Sequence, residues 1–147
     1  MKVLVAVLAV SLLALAGCGT EGAPDPAPPP QPPSPGASLS AAAQLAAQYG
    51  LGTKGRSSAF TDLVPDHPMA SARWGLIEIA CAGSGFDLGP YCGEQATFTS
   101  YAMARQLHGS PATFWTIERD GCIVGAYVTV EEATPGILSL RQAEAQL

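Results

Sequence analysis

The chain has 147 residues, seven Lys and Arg against twelve Asp and Glu, and a formal net charge of −5. That length allows one small domain with one core. The acidic balance, without any basic run, excludes the patch that nucleic acid or anionic headgroups would need.

Met1 and Lys2 form a minimal positive start, and Val3 to Ala16 is an almost uninterrupted apolar run, short for a bilayer span. Residues 1–17 therefore read as a signal peptide, and their apolar content is not core. At its end Leu15-Ala16-Gly17-Cys18 resembles the lipobox of bacterial lipoproteins. The resemblance implies cleavage before Cys18, a diacylglyceryl group on its thiol, and acylation of the new amino terminus, for instance with palmitate. It also implies an extracytoplasmic lipoprotein held to a cell membrane or outer membrane by its lipid, with two or three acyl chains sufficing for stable anchoring. Cleavage there leaves 130 residues, six of them basic and twelve acidic.

Residues 18–37 are the lipidated cysteine and a linker, with eight prolines between Pro24 and Pro35. Such a composition cannot bury a core and favours polyproline II, a semi-rigid spacer reaching up to roughly 50 Å at about 3.1 Å per residue. The globular domain is expected over 38–147. Ser38 and Ser40 are N-cap candidates for a helix through Tyr49 that Gly50 closes. Gly52 to Asp66, with Lys54 and Arg56 among Gly and Ser, reads as a solvated loop.

Trp74 to Cys81 reads as a mostly buried strand, with a helix from Met69 as the competitor, and Gly83 to Pro90 as loop. Glu94 to Leu107 suits a helix ending at His108-Gly109, although Thr97 to Tyr101 favours a strand. Ala112 to Val130 carries the strongest local signal, a hairpin turning at Asp120-Gly121. A regular register from that turn pairs Arg119 with Cys122, Ile117 with Val124, Trp115 with Ala126 and Phe114 with Tyr127. Trp115, Ile117, Val124, Ala126, Val128 and Val130 would then face the core. Phe114 and Tyr127 would lie on the opposite face beside Gly125, a candidate contact patch. Ile137, Leu140, Ala143 and Leu147 recur at helical spacing. The fold class expected is α+β: a small antiparallel sheet of one strand plus a hairpin, with flanking helices.

Export would place Cys81, Cys92 and Cys122 in an oxidising compartment. The simplest bridge joins Cys81 to Cys92 across the Gly-rich loop, stabilising by about 3 kcal/mol on the chain-entropy model. Cys92-Gly93-Glu94-Gln95 also resembles the thioester sequence of the alpha-2-macroglobulin and complement family, where the motif leads into a helix. That resemblance implies acylation of the Cys92 sulfur by the Gln95 side chain. No histidine falls on the hairpin to serve Cys92 as a base. His67 and His108 lack metal-ligand spacing, so no metal or other cofactor is implied. The function expected is a non-enzymatic envelope module binding a partner protein or ligand; the alternative is a covalent trap or thiol chemistry centred on Cys92.

Overall fold

The computed structural model describes residues 35–147, with side chains from Ala41 onward. The expected signal peptide, the expected lipidation site Cys18 and most of the expected linker lie outside the described residues. Helix α1 (Pro35–Gln48) begins earlier than the Ser38 boundary, with a proline in the first turn, where a missing N–H costs no bond. It closes as expected. Gly50 has φ +66, and the N–H groups of Gly50 and Leu51 donate to the Ala47 and Ala46 carbonyls, a Schellman arrangement.

The segment expected to be a loop is instead β1 (Thr53–Leu63), paired antiparallel along β2 (Gln95–Met103). Its polar composition is tolerated because β1 is an edge strand exposed over most of its length. Residues 95–103 in turn are strand rather than helix. The Thr97 to Tyr101 preference wins because that run lies between two strands, with buried side chains on both of its faces. His108 and Gly109 cap no helix; both have positive φ and form the tight turn between Leu107 and Ser110, which exchange backbone hydrogen bonds.

The expected 74–81 strand is helix α2 (Ala72–Gly83). Short apolar runs leave strand and helix degenerate; here Ile77, Ala80 and Cys81 are buried while Ile79 is 58% exposed, the signature of a 3.6-residue period. Gly85 ends it, with φ +90 and the N–H of Phe86 donating to Cys81.

The hairpin is present as β3 (Ala112–Arg119) and β4 (Cys122–Val130), and Asp120 and Gly121 both adopt the positive φ that the two-residue turn demands. Arg119 pairs with Cys122 as expected. A bulge then intervenes: Glu118 pairs with Ile123 and Ile117 with Gly125, leaving Val124 as the extra residue. Every pair beyond it shifts by one, so Trp115 faces Tyr127 and Phe114 faces Val128.

A two-residue β5 (Ile137–Leu138) and helix α3 (Leu140–Glu144) complete the chain. The fold is α+β with a five-stranded antiparallel meander in the order β1-β2-β3-β4-β5, a larger sheet than one strand plus a hairpin. Alternation along the strands separates two buried clusters. Tyr101, Phe114 and Val128 pack with Ala42 and Ala46 of α1 and Leu140 of α3. Phe98, Ile117 and Tyr127 point the other way and pack with Ile77, Ala80 and Cys81 of α2. No described helix is long and apolar enough to cross a membrane.

Candidate functional site: an aromatic cleft beside an open strand edge

The register decides which rings meet. Phe60 of β1 lies opposite Phe98 of β2, and their rings stack at 5.3 Å with 12° between planes. Two residues further, Ser100 lies opposite Trp115, which lies opposite Tyr127; the bulge makes that last pair, stacked at 6.1 Å and 6°. Phe60 meets Trp115 edge-on at 6.1 Å, and from α2 the Trp74 indole meets Phe98 edge-on at 5.7 Å. Offset-stacked and edge-on geometries are those that aromatic quadrupoles favour. The Trp115 Nε1–H donates to Thr129 Oγ1 at 3.0 Å, fixing that ring.

Between β1 and α2 these rings leave a surface cleft of about 100 Å³. Phe60, Phe98, Trp74 and Ile77 supply apolar wall, Tyr127 contributes to the lining, and Asp62 and Arg73 bring opposite charges. Phe60 remains 45% exposed. Arg73 makes no ion pair among the described residues. Burial above all, with the nearby Cys81 thiol adding to it, holds the Tyr127 phenol well above the usual tyrosine range, against a smaller opposing pull from Arg73. It is therefore a neutral hydrogen-bond donor or acceptor at physiological pH.

Beside the cleft runs the free edge of β1. The Ser58 N–H turns towards β2, donating to Ser100 Oγ at 3.1 Å, and Val64 exchanges backbone bonds with Gly93 and Glu94. Strand alternation then turns Ala59, Thr61 and Leu63 outward. The Leu63 N–H is taken by Asp62 Oδ1 at 2.8 Å.

The residues singled out by sequence fall elsewhere. Phe114 and Tyr127 are 0% and 3% exposed and lie on opposite faces, so the contact patch expected of them does not exist; the bulge moved Tyr127 opposite Trp115. Cys81, Cys92 and Cys122 are separate thiols, and the expected Cys81 to Cys92 bridge is not formed. The physical reason is the helix: α2 turns Cys81 inward to the sheet, in reach of the Ala126 backbone and with its pKa pushed up to about 12, chiefly by burial. Cys92 follows a short 3-10 turn, half-buried, its thiol 3.8 Å from the Leu88 carbonyl.

Gly93 does take the tight turn expected at the thioester-like sequence, with φ +78. That turn leads into strand β2, however, not into a helix. There Gln95 is exposed, its carbonyl accepting from Arg119 at 2.7 Å, and Glu94 pairs with the same guanidinium at 3.2 Å. A Cβ on Gly93 would meet only the end of the exposed Asp66 side chain, which can move aside, so it is the positive φ that calls for glycine here, whatever the chemistry of Cys92. No three or more His, Cys, Asp or Glu among the described residues are placed to hold a metal ion.

Sequence reasoning missed Phe60, Asp62, Arg73, Trp74 and Phe98 as neighbours. The available signal was Phe60 next to the β-branched Thr61, two strand-favouring residues in the polar run Ser58-Ala59-Phe60-Thr61-Asp62-Leu63. Comparison of the chain with protein-family models, with curated proteins and with solved structures gives no match.

Proposed function

We propose that this chain is a non-enzymatic binding module of the cell envelope, tethered through Cys18 and spaced from its membrane by the Pro-rich linker. One observation carries the binding role: aromatic rings from β1, β2 and α2 converge on a cleft that is open to solvent and flanked by Asp62 and Arg73. A core does not need a half-exposed phenylalanine beside an unpaired arginine, whereas a site for a ring or a branched aliphatic group does. The volume is of that scale; apolar cavities of about 150 Å³ accept benzene. The lipobox and the Pro-rich run support the tether, and the acidic balance argues against a nucleic-acid partner.

The test places a photoreactive benzoylphenylalanine at position 60 of the full-length protein in its native membranes. The expected result is an adduct weakened at least five-fold by Trp74→Ala or Arg73→Glu, and none from the same probe at position 131. Equal labelling from both positions would refute the cleft. Loss of membrane retention and of labelled palmitate on Cys18→Ala is expected for the tether, and an unchanged membrane fraction would refute it.

A further inference from the structure

We infer that a second copy of this chain pairs antiparallel on the open edge of β1, with the two-fold axis at Phe60. The inference goes beyond the cleft and rests on the proposed tether only for its strength. Long strand edges invite other strands, and proteins guard them with charges, bulges or proline. Here the guarding is one-sided. Both register irregularities of β1 fall between Thr53 and Ser58, where Lys54 and Arg56 also lie, while Ser58 to Leu63 pairs regularly with β2. The opposite edge is β5, two residues long, and the β4 residues that it leaves unpaired from Val124 to Tyr127 are buried. Ser58 to Leu63 is thus the long regular edge left open among the described residues, and it presents a half-exposed Phe60.

The outward-turned residues set the register. Ala59 and Thr61 each offer an N–H and a C=O, and Asp62 has already closed the Leu63 N–H. A partner strand satisfies all four groups when Ala59 lies opposite Thr61 of the second copy and the reverse. Phe60 then faces Phe60 of the second copy in the non-hydrogen-bonded position, where Cα atoms approach to about 4.5 Å. Charge selects the direction. β1 is basic at its start and acidic at Asp62, so antiparallel pairing brings Asp62 opposite Ser58 of the second copy, towards its Arg56. Parallel pairing would align like charges. Six residues a side fall below the size of a stable interface, so the pair depends on copies held close together, as lipid anchors in one bilayer would hold them.

The experiment uses the full-length protein in membranes with Cys92→Ser and Cys122→Ser as parent. Under mild oxidation Phe60→Cys should give a disulfide-linked dimer at least ten-fold above the parent and above Leu63→Cys, since a cysteine at the two-fold axis meets its own mate. Co-expressed Ala59→Cys and Thr61→Cys chains, carrying different tags, should cross-link to each other and not to themselves, which covers the case that loss of Phe60 weakens the pair. Adding Thr61→Pro to the Phe60→Cys chain, and to the Ala59→Cys chain of the second pair, removes an outward N–H and no bond to β2, and should abolish both products. The proposal is overturned if neither pair exceeds the parent, or if Leu63→Cys links as well as Phe60→Cys. Absent dimers together with Trp74-dependent adducts would leave the cleft standing and remove the second copy; dimers with adducts only to the second copy, unchanged by Trp74→Ala, would do the reverse.

Discussion

At Gly125 side chains of α2 and of the loop after it press against the sheet. A Cβ there would lie 2.9 Å from Leu88 Cδ2, 3.0 Å from Ile117 Cδ1 and 3.2 Å from Cys81 Sγ. Gly125→Ala should therefore destabilise the domain by about 1–3 kcal/mol, as overpacking does, and an unchanged denaturation midpoint would contradict that packing. Cys81, in the same contact, gives a pH signature. Its pKa rises from 9.0 to about 12, mainly because burial disfavours the thiolate, with the backbone of Ala126 opposing and Glu78 adding. The unfolded chain loses that proton first, so the folded state holds more protons between the two values. Stability is then full below about pH 9 and falls as pH rises towards about 12, by at most about 1.4 kcal/mol per pH unit for one proton. Tyr127 and Tyr101 shift the same way, so Cys81→Ala should flatten the profile in part. Identical slopes with and without the thiol would show that Cys81 does not contribute.

At the scale of elements, the shortest helix is the one most dependent on its cap. Ser139 Oγ accepts from the Gln142 N–H at 3.2 Å and Gln142 Oε1 from the Ser139 N–H at 2.9 Å, a reciprocal capping box. Ser139→Ala should cost about 0.5–2 kcal/mol in equilibrium unfolding; no change would mean that packing of Leu140 and Ala143 alone holds α3. Signals read from a few adjacent residues held in the same way: Gly50 closing α1, Asp120-Gly121 turning the hairpin, Leu140 and Ala143 facing inward. What failed were assignments decided by distant partners. Trp74 to Cys81 is apolar enough for either period, and only the position of the sheet buries Ile77 and Cys81 while exposing Ile79. β1 has little strand propensity of its own and is extended because β2 offers a ladder. The bulge at Val124 is marked locally only by Gly125, a residue that favours bulges without saying which neighbour is left unpaired. One unpaired residue there converted an expected Phe114 and Tyr127 patch into the Trp115 and Tyr127 stack behind the cleft. The site was thus hidden for the same reason as the sheet's edge: its rings come from elements that sequence had labelled as loop, strand and helix in the wrong places.

For the whole molecule, the consequence is a sheet with a buried cluster on each face, not one core on one side. Phe114 and the α1 side chains belong to one cluster and Ile77 to the other, and Phe86 packs against both. If the sheet separates them mechanically, modest truncations on opposite faces should not feel each other. Phe114→Leu and Ile77→Val, each costing about 0.5–2 kcal/mol, should then add to within about 0.5 kcal/mol in a double-mutant cycle. Any coupling between the two faces should pass through Phe86, which packs against both clusters. This arrangement also explains how the cleft can stay unfilled. The cluster built on Phe114 supplies packing independently of the rings around Phe60 and Trp74, so stability does not force that space closed. A strong interaction between Phe114→Leu and Ile77→Val would show one continuous core instead, and with it the rings of the cleft would have to be read as part of the structure that holds the domain together.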